Sequence, residues 1–342
     1  MHAMKHRHSR FTVIPRLAAA IVAGTLLAGC MAMDFAESEA PQLSRATVAE
    51  MSRKKMKPES PVLVRIFKQE SELEVWKVDA SGRYALFKTY PMCRWSGKLG
   101  PKTRAGDRQA PEGFYHVSAG MLNPKSQYYA AFNLGYPNRL ESALGYTGDA
   151  LMVHGACSSS GCYAMTDKGV GEIYAIVQGA LRGGQGRFQV QAFPFRMTAT
   201  NMARHSNDPS MPFWRTMKEG YDAFEFTRRQ PKVSLCGGRY VFNAEFADGE
   251  PTDPLAACPA AKPIDDALVA KLDAERKKVD TALAASGSSP VSAYTDGGMH
   301  PSFRNILKRQ GADRMAAQIS GTKYPISRPE AALADPYEKF GF

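Results

Sequence analysis

Long apolar runs are almost missing from this 342-residue sequence. The only one, Leu17 to Leu27, falls well short of the ~20 residues that a membrane-spanning helix needs, and no other segment comes closer. There is no internal repeat, no phosphate-binding G-x-x-x-x-G-K-[ST] loop, no dinucleotide fingerprint and no nucleic-acid module. These absences argue against a solenoid, a nucleotide-dependent enzyme or a nucleic-acid partner, and no cofactor is expected. Cysteine is scarce, at six residues. No second His/Cys pair stands near the first, so no metal site is expected.

What is present suits a globular core: 44% hydrophobic residues and 10% aromatics. The formal charge is +11. The apolar run is preceded by Lys5, Arg7, Arg10 and Arg16 and ends in Leu27-Ala28-Gly29-Cys30. A positive stretch, a short apolar stretch and a small-residue site make a secretory signal, and the placed cysteine makes it look like a bacterial lipobox. Residues 1–29 are therefore expected to be removed and Cys30 lipidated; plain cleavage after small residues is the alternative. Loss of four basic and no acidic residues leaves 40 against 33, about +7. That balance suits an ordinary solvated surface more than a dedicated contact with lipid or wall polymer. Met31 follows the cysteine, which favours a periplasm-facing outer-membrane anchor. An odd set then remains: Cys93, Cys157, Cys162, Cys236 and Cys258. At least one stays free in an oxidising compartment. Cys236 with Cys258 is the most natural disulfide, although spacing alone does not fix connectivity.

The chemistry is concentrated in Leu151-Met152-Val153-His154-Gly155-Ala156-Cys157-Ser158-Ser159-Ser160-Gly161-Cys162-Tyr163-Ala164-Met165-Thr166-Asp167. Apolar residues bring a histidine to the end of a strand, small residues follow, and Thr166 or Asp167 stands ready to cap a helix. A thiol near an imidazole is the layout of a nucleophilic cysteine, expected to be a thiolate at neutral pH. Cys162 is the expected nucleophile and His154 its base. Ser159 positions them, and the N–H groups of Gly161 and Cys162 face the oxyanion. Cys157 is open to three readings: a packing thiol by default, a redox partner of Cys162, or a metal ligand with His154.

This run resembles the active-site signature of the YkuD-type L,D-transpeptidases, a His-Gly, a spacer and Ser/Thr-His-Gly-Cys. His154-Gly155 and Ser159-Ser160-Gly161-Cys162 supply its halves, with a shorter spacer, Ser160 in place of the second histidine and Ala164 in place of the usual arginine or asparagine. The departures match the YafK-type branch, His-Gly-x-Cys-x-Ser-x-Gly-Cys-Tyr-Ala-Met-Thr-Asp. The resemblance implies a peptidoglycan-acting cysteine enzyme that attacks the L-centre carbonyl of diaminopimelate in stem peptides. It also implies a role in cell-wall organisation and cell shape. Transfer to a second stem gives a 3-3 cross-link. Hydrolysis instead releases a wall-linked lipoprotein, and the lost histidine makes that amidase a close alternative. A non-catalytic wall-binding lipoprotein is the competing class, but it would need neither His154 nor Cys162. Gly155, Ser160, Tyr163 and Arg139 are the candidate substrate contacts.

The expected fold is mostly β with flanking helices (α+β), a YkuD-like domain over 61–246. A tether of 30–60 with one short helix precedes it, and a helical or irregular extension of 247–342 follows. Alternating runs at Val62–Lys68, Leu73–Val78 and Tyr84–Lys88 read as a meander. Pro111-Glu112-Gly113-Phe114-Tyr115 enters another strand. Asn123–Asp149 reads as a long loop at the substrate rim, with Tyr128, Tyr129, Asn133 and Arg139 available to line a groove. Helical spacing covers Val170–Leu181, Met211–Arg229 and Pro263–Ala285, and strand-like runs cover Arg187–Phe195 and Arg239–Phe246.

Overall fold

In the computed structural model the described residues are 40–286, 294–321 and 324–334. The leader and Cys30 lie outside them. The first element, helix α1 (Arg45–Arg53), lies within the expected tether. It is docked rather than free: Met51 is fully buried and Thr47 donates a hydrogen bond to Glu172 at 3.0 Å.

Two five-stranded sheets follow. Strands β1 (Val62–Phe67), β2 (Glu72–Val78) and β3 (Tyr84–Pro91) form the expected antiparallel meander. Strand β4 is Arg94–Trp95, β5 Gly113–Ser118, β6 Leu122–Ser126 and β7 Tyr129–Asn133. Helix α2 (Arg139–Ala143) leads to β8 (Met152–His154) and β9 (Tyr163–Ala164). Helix α3 (Asp167–Arg182) then returns to β10 (Arg187–Phe193). One sheet has the order β3-β2-β1-β10-β5 and the other β4-β9-β8-β7-β6. Every residue of β1 is buried, Arg65 included, whose guanidinium pairs with Glu225; a strand covered on both faces reads as nearly continuous apolar texture.

Helix α3 ties the sheets together, touching β7 and β8 of one and β1 and β10 of the other. Thr166 caps it, accepting from the Gly169 N–H at 3.0 Å. Val170, Ile173, Ile176 and Val177 are fully buried along it, each contributing roughly 1.5–3 kcal/mol. Because α3 begins three residues after Ala164, its packing sets where β9 and the preceding cysteine sit.

The long loop expected at Asn123–Asp149 is instead partly regular, holding β6, β7 and α2. Strand β6 reads as loop because it is an edge strand (Leu-Asn-Pro-Lys-Ser) with no buried residue, where proline is tolerated.

Helices α4 (Ala199–Arg204) and α5 (Met211–Thr227) precede β11 (Val233–Cys236), β12 (Arg239–Phe242), β13 (Ala244–Phe246) and β14 (Ala261–Pro263). The expected strand over Arg239–Phe246 is broken at Asn243, which sits at φ 50°. Cys236 and Cys258 form a disulfide, as anticipated. Helix α6 (Asp266–Ala285) packs on α4 and α5. Beyond it come α7 (Pro301–Gln310), α8 (Ala312–Ile319) and α9 (Pro329–Ala332). These last helices bury Phe303, Leu307, Met315 and Ala332, and Ile326 before α9 joins them, against Cys93, Cys157 and Ala164. From Pro41 onward the described chain forms one unit, so this extension is part of the same packed body as the sheets.

Candidate active site

Strand pairing brings the segments that carry the histidine and the cysteine side by side. β8 and β9 run parallel, with Val153 opposite Tyr163 and His154 opposite Ala164. Side chains alternate along strands, so Ala164 shares the face of His154, and Cys162 is the residue just before β9, beside the strand that carries the histidine. Tyr163 necessarily points the other way. It is fully buried, with its hydroxyl donating to Pro111 O. That corrects the expectation of a substrate contact: Tyr163 packs beneath the site.

Among the described residues Cys162 is the free, half-buried cysteine. Its thiol points to the carbonyl of Ala150 at 3.9 Å. His154 is only 3% exposed. Its Nδ1 lies 2.6 Å from the carbonyl of Gly155; a carbonyl only accepts, so Nδ1 carries the proton and Nε2 keeps its lone pair. Gly155 is held closely from both sides. A Cβ there would lie 2.6 Å from Asp167 Oδ1 and 2.7 Å from Tyr128 O, so the second residue of the His-Gly pair is structural. Tyr128 covers the imidazole, with ring centroids 4.8 Å apart.

Burial dominates the electrostatics. It lowers His154 to about 4, partly offset by the bond to Gly155 O and the charge of Asp167. It raises the Cys162 thiol above its ordinary range, against a hydrogen bond from the Met152 backbone and the charge of Lys102. Burial therefore favours a thiol at Cys162 and a neutral imidazole at His154, rather than the expected thiolate. The proton can leave sulfur only as the nucleophile attacks, with Nε2 as general base.

The turn before the cysteine is built for backbone presentation. Ala156 and Cys157 sit at φ 68° and 42°, left-handed positions costing of order 1–3 kcal/mol each. The Ala156 N–H donates to Asp167 Oδ1 at 2.9 Å. Cys157 is joined to Cys93 by a disulfide. Of the three readings of Cys157, packing comes nearest, since it is 1% exposed. The bond itself goes to a cysteine 64 positions away, not to Cys162. No group of three His, Cys, Asp or Glu able to hold a metal occurs among the described residues.

Gly161 adopts φ 132°, open to glycine but strained for other residues. Ser159 is buried, and its Oγ donates to Cys162 O at 2.7 Å, accepts from Gly161 N at 3.3 Å and lies 2.9 Å from Ser96 Oγ. Among the described residues no acceptor engages the Cys162 N–H. That N–H, on the residue that carries the thiol, is the candidate oxyanion donor.

Ser160 is exposed and accepts from Arg108 Nη1 at 2.7 Å. Arg108 also donates to Ser159 O at 3.0 Å and forks onto Asp296 at 2.9–3.3 Å. Burial favours a neutral Asp296, but the Arg108 bonds, the Gly97 N–H and the Arg108 and Arg94 charges together hold its carboxyl below the usual range. Arg139 does not join this cluster. It donates to Thr252 O at 2.8 Å and lines a groove of about 800 Å³ with His116, Arg187 and Gln230, which contains neither His154 nor Cys162.

Sequence reasoning missed Arg108, Asp296, Ser327 and the Cys93–Cys157 link. Asp167 was visible only as a possible helix cap. Its carboxylate also accepts from Ser320 Oγ at 3.0 Å and Gly321 N at 2.7 Å. Each missed group acts across a gap of tens of residues or more, and none carries a local motif.

Residues 62–184 match the family of YkuD L,D-transpeptidase catalytic domains. A protein of Escherichia coli K-12, named provisionally as L,D-transpeptidase YafK, is 50% identical over 182 residues, 53% of this chain and 74% of that protein. Its counterpart in E. coli O157:H7 gives the same figures. A solved structure, the helical cell shape determining protein Pgp2 from Campylobacter jejuni, aligns at 17% identity over 68% of this chain and 77% of that one, with a TM-score of 0.33. The sequence relationship is decisive: this chain belongs to the YkuD family of L,D-transpeptidase domains, in its YafK-type branch.

Proposed function

We propose that this protein is a cysteine acyl-transfer enzyme acting on diaminopimelate-containing stem peptides of peptidoglycan. The observation that carries the reading is the parallel pairing of β8 with β9, which sets the free Cys162 at the head of the strand beside His154, with Nδ1 tied to Gly155 O and Nε2 left as the base. In the first half-reaction the Cys162 proton passes to Nε2 as sulfur attacks the carbonyl at the L-centre of diaminopimelate. The carbonyl oxygen takes the negative charge beside the Cys162 N–H. The C–N bond to the leaving amine then breaks, the amine takes the proton from Nε2, and a thioester remains. An acceptor attacks that thioester, gives its proton to Nε2, and Cys162 leaves with a proton restored.

The acceptor decides between a transferase and a hydrolase. A stem-peptide amine yields a 3-3 cross-link. Water makes the same site an amidase, able to detach a lipoprotein joined to the wall through a lysine. Ser160 in place of the family's second histidine supports the amidase as the second reading. Incubation with tetrapeptide muropeptides, and separately with lipoprotein-linked sacculi, separates the two by mass spectrometry. A dimer from the first supports transfer; released lipoprotein without a dimer supports hydrolysis; no Cys162-dependent product from either refutes the proposal.

The leader motif supports a lipid anchor at Cys30 in the outer membrane, facing the periplasm. Cys30→Ala is expected to abolish lipid labelling and release the protein into the periplasmic fraction; an unchanged distribution would refute the anchor.

A further inference from the structure

The family-matched segment ends at residue 184, yet the last described residues, far beyond it, reach the catalytic turn at several points. Ser327 grips the backbone of Ser159 twice: its Oγ accepts from Ser159 N at 2.9 Å and donates to Ser159 O at 3.0 Å. Asp296 takes the fork of Arg108, which itself holds Ser159 O and Ser160 Oγ. The same carboxylate accepts from the Gly97 N–H at 3.1 Å. Ser320 and Gly321 satisfy the Asp167 carboxylate that also fixes Ala156 N. On the histidine side Tyr324 packs on Tyr128, with centroids 4.5 Å apart, and Tyr128 packs on His154.

These contacts converge on the groups whose placement the chemistry needs. Ser159 Oγ holds Gly161 N and Cys162 O, so whatever fixes the Ser159 backbone fixes the amides beside the nucleophile. Ser327 is suited to that role because one hydroxyl can accept and donate at once. We infer that residues 294–321 and 324–334 are a positioning element of the active site, acting through Ser327 on the Ser159–Cys162 turn and through Tyr324 and Tyr128 on His154. The inference rests on the proposed cysteine chemistry. Neither residue touches the reacting atoms; both act through a neighbour. A small misplacement of a nucleophile or oxyanion donor can cost on the order of 10²-fold in rate, so a clamp of two hydrogen bonds matters here more than on an ordinary surface loop.

The test compares Ser327→Ala, Ser327→Thr and Tyr324→Ala with wild type, and uses Lys308→Ala on the exposed side of α7 as a control. Two readouts are taken on the full chain: hydrogen exchange of the Ala156–Tyr163 amides, and kcat and KM on muropeptides or lipoprotein-linked sacculi. Ser327→Ala should raise exchange in that turn and lower kcat by about tenfold or more, with KM within about twofold of wild type. Ser327→Thr, which keeps the hydroxyl, should restore both. Tyr324→Ala should shift the acid limb of the pH profile upward, toward the ordinary histidine range, as the imidazole gains solvent. Lys308→Ala should match wild type. Unchanged exchange and unchanged kcat in Ser327→Ala would overturn the inference, as would a loss that Ser327→Thr does not restore. If the wild type itself has no Cys162-dependent turnover, the proposed chemistry fails, while hydrogen exchange still decides whether the clamp exists.

Discussion

The sheet that carries His154 and Cys162 and the tail that closes over their turn hold the site in different ways. On the sheet side, position comes from backbone ladders: the β8–β9 pairing holds His154 beside the strand that Cys162 leads into. On the tail side, a short backbone bridge at Trp95–Gly298 and the Gly321 N–H on Asp167 are joined by individual side-chain contacts. Ser327, Ser320 and Tyr324 each make one or two polar or ring contacts with the turn or its supports, and Asp296 takes the Arg108 fork and the Gly97 N–H. A ladder is a rigid, cooperative device, and single side-chain contacts are tunable ones. The sheet therefore determines which chemistry is possible, and the tail determines how accurately it is presented.

The largest expected effect comes from removing the chemistry and leaving both supports. Cys162→Ala should reduce turnover by on the order of 10⁴-fold or more and leave thermal stability close to wild type, because the thiol makes only a weak 3.9 Å contact. Retained turnover would break the comparison outright.

The next effect probes the sheet's own foundations. Lys68 and Glu112 form a fully buried ion pair at 2.8 Å, with Lys68 also donating to Gly100 O and Ala110 O and Glu112 accepting from Trp214 Nε1. This pair anchors the segment leading to Arg108. Glu112→Ala strands a buried ammonium and should cost about 3–5 kcal/mol, measured by denaturant unfolding. A cost near zero would mean the segment is held by other contacts.

Cys93–Cys157 lies where the two regions meet, joining the catalytic turn to the start of β4 beneath the packed tail helices. Replacing both cysteines with alanine should cost about 2–4 kcal/mol and reduce turnover even at temperatures where the fold persists. Full activity in that variant would show that Asp167 and the tail suffice to hold the turn.

The smallest effect is on pH dependence. The base must be neutral, and burial lowers His154 to about 4. Activity should thus persist as pH falls through 6.5 and be lost only on approaching 4. An acid limb at 6.5 would mean that the imidazole is solvated in the working enzyme. The raised Cys162 thiol likewise predicts slower alkylation at neutral pH than for an ordinary free cysteine.

The same contrast explains what could be read from the sequence. The meander, α3 with its Thr166 cap and the His154–Cys162 pair were legible because each is written in neighbouring residues. Strand β6 was not, since an exposed edge strand containing Pro124 carries no hydrophobic alternation. The Cys162 thiolate was expected from the motif and overturned by burial, which depends on the whole packed body. Arg108, Asp296 and Ser327 were illegible because arginine, aspartate and serine are ordinary surface residues until the fold brings them to Ser159. Arg139 looked eligible in a tyrosine-rich stretch, but α2 turns it to Thr252 O.

The most direct test of the central claim is to trap the acyl-enzyme. Purified protein is mixed with tetrapeptide muropeptide or lipoprotein-linked sacculi, quenched in acid and digested, and the Cys162 peptide is examined by mass spectrometry. The account predicts a stem-peptide adduct on Cys162, absent in Cys162→Ala and formed far more slowly in His154→Ala. Product formation that persists in Cys162→Ala would contradict it.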